Sequence, residues 1–185
     1  MTALLVVLGI LAVLVLLVIS LYNGLVQKRT VCEEGWSSID VQLKKRFDLI
    51  PNLVETVKGY ATHEKGLFEE VARLRNMAGA AASVGEQAQI QSQLTGVLGR
   101  LIAVAEAYPD LKANVNFQQL QAELSTLETG IEMARRFYNG AVRNFNIACE
   151  TFPGVIIAGL FNFKKKDFFE IAAPEERNVP KVGFQ

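Results

Sequence analysis

Hydrophobic positions follow two different patterns along this chain. From Ala3 to Leu21 only Gly9 and Ser20 interrupt a run of Leu, Val, Ile and Ala, and no polar face exists. At ~1.5 Å rise per residue such a run covers ~28 Å as a helix, close to the hydrocarbon thickness of a bilayer. A helix satisfies its backbone groups internally, so it can remain in lipid. Beyond it the apolar residues become a stripe: Leu25, Cys32, Trp36, Ile39, Leu43, Phe47, Ile50, Val54, Val57 and Ala61 recur at helical spacing, with Arg29 the polar member of the series. This first long helix is placed to run on from the span, and Pro51 is expected to bend it near Phe47.

Three further helices follow. Thr62 is the expected N-cap of a shorter second helix carrying Leu67, Val71, Leu74 and Ala78, and residues 79–85 read as a turn. A third helix carries Ile90, Leu94, Val97, Leu101, Ala105 and Tyr108, and Pro109-Asp110 ends it. The fourth has the strictest seam, from Phe117 through Leu120, Leu124, Leu127, Ile131, Ala134, Tyr138, Ala141 and Phe145 to Ala148. The predicted fold is all-α: a single N-terminal transmembrane helix (1–24), an antiparallel four-helix bundle with long first and last helices (25–151), and a C-terminal apolar and basic segment with an extended tail from Pro174 (152–185).

Charge turns the span into a topology. The first 27 residues hold no charged side chain, whereas Lys28 and Arg29 follow at once and Lys44, Lys45 and Arg46 later. Positive residues stay on the cytoplasmic side, so the expectation is a single-pass protein of the bacterial inner membrane, N-terminus out and bundle in the cytoplasm. A cleaved signal peptide needs a basic start and a small-residue cleavage site; Met1-Thr2-Ala3 and Ile19-Ser20-Leu21-Tyr22-Asn23 supply neither.

Candidate chemistry is sparse. His63 is the one histidine, Cys32 and Cys149 form no Cys-x-x-Cys, and neither phosphate-binding glycine loops nor Gly-x-Ser-x-Gly occur. Lys+Arg and Asp+Glu balance at 19 each, without the broad basic face that nucleic acid requires. The expectation is no enzyme, no cofactor, no metal and no nucleic-acid partner. After Pro153 the chain reads Gly154-Val-Ile-Ile-Ala-Gly-Leu-Phe161-Asn-Phe163-Lys164-Lys165-Lys166-Asp-Phe168-Phe169. This stretch is too short to span a bilayer. Phe161, Phe163, Lys164, Lys165, Lys166, Phe168 and Phe169 form a candidate membrane-interface element, and capping the bundle core or a neighbouring subunit is the alternative. Tyr22-Asn23-Gly24 recurs as Tyr138-Asn139-Gly140; both copies, with Cys32 and Cys149, are expected in the membrane-proximal half, each Asn buried to fix helix register.

Several separated stretches resemble the LemA family of bacterial membrane proteins. They are Trp36-Ser-Ser-Ile-Asp40-Val-Gln-Leu-Lys-Lys-Arg46-Phe-Asp48-Leu-Ile-Pro51-Asn52, Tyr60-Ala-Thr-His-Glu64, Ala107-Tyr-Pro-Asp-Leu-Lys112, Phe117-Gln-Gln-Leu-Gln-Ala-Glu123-Leu and Ala134-Arg-Arg-Phe-Tyr138-Asn-Gly-Ala-Val. The Tyr22-Asn23 junction, Phe152-Pro and Phe168-Phe169 belong to the same pattern, while Cys32 and Cys149 fall outside it. The resemblance implies an N-terminal anchor and a cytoplasmic helical bundle, and carries over no reaction. Tyr22, Asn23, Trp36, Asp48, Pro51, Asn52, Tyr138 and Asn139 stand as candidates for structure or contact. The function expected is a membrane-anchored scaffold that self-assembles, as a homo-oligomer, or organises envelope proteins. An accessory or adaptor subunit of a membrane peptidase or transport complex is the alternative. Membrane lipid and an envelope protein yet to be identified are the expected partners.

Overall fold

The computed structural model describes residues 1–170, and they are helical almost throughout, with no strand among them. The tail expected from Pro174 to Gln185 lies outside the described residues. Six helices follow in order: α1 Thr2–Lys58, α2 Lys65–Ala80, α3 Val84–Glu106, α4 Pro109–Lys112, α5 Val115–Glu150 and α6 Gly154–Leu160. They compose an N-terminal apolar helix and a helical bundle-like arrangement.

α1 settles whether span and first bundle helix are joined: they are one helix of 57 residues. Every side chain from Ala3 to Ser20 is exposed, and α1 is the one described helix long and apolar enough to cross a membrane. From Leu25 onward burial returns every seventh residue, at Leu25, Cys32, Ile39, Arg46 and Leu53. This spacing keeps one side of the helix turned inward along its length.

Helix ends differ from the expectation where local chemistry decides them. Thr62 does not cap α2; the helix starts at Lys65 after Glu64, with no side-chain cap bond. The turn at 79–85 contracts, because α2 runs to Ala80 and Ser83 caps α3, its Oγ accepting from the Glu86 amide at 3.2 Å. Glu86 in return accepts from the Ala82 amide at 3.0 Å, a close variant of the capping box. Asn114 caps α5 through Oδ1, which accepts from the Asn116 and Phe117 amides. α3 stops at Glu106, short of the expected Tyr108, which instead precedes α4, a single turn that Pro109 opens from its first position.

The chain divides into two compact units. One comprises Gln42–Gly130 with Phe169 and Glu170 among the described residues. Its core is built from Leu49, Ile50, Leu53 and Val57 of α1, Phe68, Val71 and Leu74 of α2, Leu94, Leu98 and Leu101 of α3, Leu111 of α4, and Phe117, Leu124 and Leu127 of α5. In this unit α1 and α5 are antiparallel: Gln42 lies by Gly130, Arg46 by Glu128, and Tyr60 by Asn114. Pro51 lies inside α1 and removes the amide that would bond the Phe47 carbonyl. Arg75 of α2 replaces that donor, its Nε reaching the Phe47 carbonyl at 3.0 Å while its guanidinium lies 3.7 Å over the Phe47 ring.

The other unit comprises Met1–Val41 and Ile131–Phe168. It contains the span, the second half of α5, α6 and the segment after it. Gly35 allows the close approach of α1 and α5 here, since a Cβ on it would come within 3.1 Å of the Tyr138 backbone.

Candidate functional site

The unit with the span gathers most of the chemistry singled out in the sequence. α6 ends in a Schellman motif: Phe163 N–H bonds the Ala158 carbonyl at 2.9 Å, Asn162 N–H the Gly159 carbonyl at 3.4 Å. Asn162 adopts φ 57°, the left-handed conformation that Asn tolerates better than most residues. This reversal turns Phe163 back towards α1 and α5. Its ring lies 5.6 Å from Tyr22 and 6.3 Å from Phe145, edge-on in both cases, and the Arg29 guanidinium sits 5.3 Å over it. Tyr22 also meets Phe161 at 4.8 Å. Such pairs add about 0.5–1.5 kcal/mol each beyond area burial.

Past Phe163 the chain becomes a strap along α5. Asn146 clasps Lys166 with both ends of its amide, donating from Nδ2 to the Lys166 carbonyl and accepting the Lys166 amide at Oδ1, each at 2.9 Å. The Tyr138 hydroxyl donates to the Asp167 carbonyl at 2.9 Å, and burial pushes that phenol up to about 12. Trp36 meets Tyr138 at 5.7 Å with the rings tilted at 60°. Lys165 pairs with Glu150 at 2.6 Å and Lys166 with Glu33 at 3.4 Å, whereas exposed Lys164 has no carboxylate partner among the described residues.

Tyr22, Trp36, Tyr138, Phe161, Phe163, Lys165 and Lys166 therefore belong to one connected cluster. The two Tyr-Asn-Gly copies do not meet as a pair: Tyr138 lies against Trp36, fourteen residues, or ~21 Å of helix, beyond Tyr22. The buried-Asn expectation fails for Asn23, which is exposed; Asn139 is half-buried. The tyrosines make the contacts instead. Phe168 is exposed, and Phe169, only 1 % exposed, is a core residue. In the other unit Asp48 and Asn52 are exposed, and Pro51 is half-buried beside the Arg75 substitution for its missing donor.

Two residues that periodicity alone did not single out are central. Asn146 has no sequence signal beyond its place one turn before Cys149. Arg46, grouped by sequence with a basic cluster, is 1 % exposed. Its Nη1 donates to Glu128 at 2.6 Å and to Thr95 at 2.8 Å, and its Nη2 to Gln91. Its Nε has no hydrogen-bond partner among the described residues. The heptad series on α1 carries the missed signal, since Arg46 occupies a seam position between Ile39 and Leu53.

Cys32 and Cys149 are free and buried, and loss of solvation raises both thiols above their ordinary value, against nucleophilic or redox use. His63 is exposed, and no group of three His, Cys, Asp or Glu suited to a metal occurs among the described residues.

Comparison with known proteins adds the family. The LemA family profile matches residues 35–184. Two magnetosome proteins of Paramagnetospirillum magneticum, MamQ 1 and MamQ 2, are each 24% identical over 175 residues, covering 80% of this chain and 64% of their own. Magnetosome protein MamQ of Magnetospirillum gryphiswaldense is 22% identical over 174 residues with the same coverage. The chain thus spans somewhat less than two thirds of the length of these relatives. The chain, a membrane-associated helical protein, belongs to the LemA family.

Proposed function

We propose that this protein is a non-catalytic, membrane-anchored scaffold that assembles through its helical bundle, with itself first and with envelope proteins second. The observation that carries the reading is the continuity of α1: an uninterrupted helix is lipid-exposed in character up to Ser20 and core-packed from Leu25. The helices of the unit that holds the anchor, welded to it in this way, present side chains at a fixed height above a membrane, which is what a scaffold requires. Further support comes from α5, where Met133, Phe137 and Ile147 are large, apolar and exposed. They offer a surface for another helix.

Cross-linking in native membranes tests the assembly. Discrete homo-oligomers are expected, and monodisperse monomer at all concentrations would reject self-assembly. Recovery of one stoichiometric foreign subunit in place of homo-oligomers would favour the adaptor reading.

The proposed topology is N-terminus outside the bacterial inner membrane and bundle in the cytoplasm, on the strength of Lys28 and Arg29 directly after the span. The native cysteines are unsuitable probes because both are buried. An Asp110→Cys variant places a thiol at an exposed site on α4. It should resist an impermeant maleimide in intact cells and react after lysis; labelling of intact cells would reverse the topology.

A further inference from the structure

We propose that the exposed face of α6 lies in the boundary between lipid headgroups and acyl chains, a second membrane contact beside the α1 span. The inference rests on the anchoring proposed above and adds a lipid-facing site outside the span.

α6 reads Gly-Val-Ile-Ile-Ala-Gly-Leu, without a polar side chain. Helices at a protein–water surface carry polar residues on the outer side. Here Ile157 and Ala158 point inward and are buried, while Val155, Ile156 and Leu160 occupy the opposite arc and are exposed, Leu160 at 72 %. Phe152 before the helix is 81 % exposed, and Phe161 after it 47 %.

The register of α1 against α5 gives the patch its height. Trp36 packs against Tyr138, and both helices rise ~1.5 Å per residue. Twelve residues past Tyr138, the end of α5 at Glu150 comes level with Gly24, twelve residues before Trp36. The Tyr22–Phe161 contact at 4.8 Å puts the other end of α6 at the same level. Both ends of α6 therefore stand beside the last turns of the uncharged stretch. The exposed face of α6, Leu160 included, therefore lies at the level where the apolar run of α1 ends, which is the boundary between acyl chains and headgroups.

The neighbouring lysines contribute less than their number implies. Lys165 and Lys166 are engaged by Glu150 and Glu33. Apolar burial, not attraction to anionic headgroups, holds the element, so the contact is insensitive to lipid charge.

The test uses the full chain, one copy per nanodisc, in lipid brominated on its acyl chains, with tryptophan emission as readout. The wild-type chain has one tryptophan, Trp36, which supplies the baseline. Leu11→Trp reports on the span, Leu160→Trp on α6, and Met133→Trp on an exposed apolar position far along α5. Brominated lipid should quench the added emission of Leu11→Trp and Leu160→Trp about twofold and leave that of Met133→Trp at baseline, equally in zwitterionic and anionic discs. Quenching of Leu11→Trp without Leu160→Trp overturns the inference and leaves the anchor intact. Absence of quenching in both overturns the anchor and the inference together. Quenching of Leu160→Trp only in anionic discs rejects apolar insertion.

Discussion

Pro51 has no amide hydrogen, and the deficit it creates at the Phe47 carbonyl is met from a different helix by Arg75. Arg75→Ala removes both the donor and the cation over the Phe47 ring, and should destabilise the bundle by about 1–3 kcal/mol. Pro51→Ala restores the intrahelical donor, so in that background Arg75→Ala should cost measurably less; additive losses in a double-mutant cycle of thermal unfolding would show the two residues to be uncoupled. Arg46 raises the opposite issue, a charge inside the core. Glu128→Ala strands the guanidinium and should cost about 2–4 kcal/mol. Glu132→Ala breaks only the exposed pair with Arg136 and should cost under ~1 kcal/mol. Equal losses in a chemical denaturation series would refute the claim that burial sets the difference. Tyr138 adds a pH dependence. Its phenol is raised from 10.0 to about 12, so the unfolded chain loses this proton first as pH rises. The stabilisation is complete below pH 10, declines as pH climbs through the folded value, and should vanish in Tyr138→Phe. An unchanged alkaline melting profile in that variant would exclude it. Arg46 was legible in principle, because heptad spacing from Leu25 through Cys32 and Ile39 lands on it, yet its charge argued for solvent. Asn146 was not legible, because an amide that clasps a distant backbone leaves no periodic mark.

Helices are the scale at which sequence spoke most clearly. The α5 seam from Phe117 to Phe145 was readable because apolar side chains at three- and four-residue steps have no other stable arrangement. Their ends were less readable: Thr62 competed with neighbours as a cap and lost, while Ser83 and Asn114 won on geometry that composition does not reveal. α6 was visible only as an apolar stretch, and its Schellman cap depends on one residue. Asn162→Gly should preserve the cap, whereas Asn162→Val, which resists the left-handed region, should cost about 1–2 kcal/mol locally. Amide hydrogen exchange checks this: Phe163 protection should fall in the valine variant and persist in the glycine variant, and equal protection in all three chains would rule out a conformational role for Asn162.

At the scale of the whole molecule, family membership and architecture agree: an apolar N-terminal helix leads into a helical bundle-like arrangement, in a chain that the LemA profile matches over residues 35–184. The candidate site was partly readable at this scale, since antiparallel long helices return the C-terminal aromatics towards the anchor. That the lysines beside them are largely consumed by Glu33 and Glu150 was not, because those carboxylates are distant in sequence. The continuity of α1 has a mechanical corollary. A span joined to its bundle by a loop accommodates a thinner or thicker bilayer by tilting alone. Here no joint exists between Leu21 and Leu25, so, with α1 spanning and α6 at the lipid boundary as proposed, any tilt of the span carries α6 with it, and a change in bilayer thickness becomes a rotation of that apolar patch relative to the lipid surface.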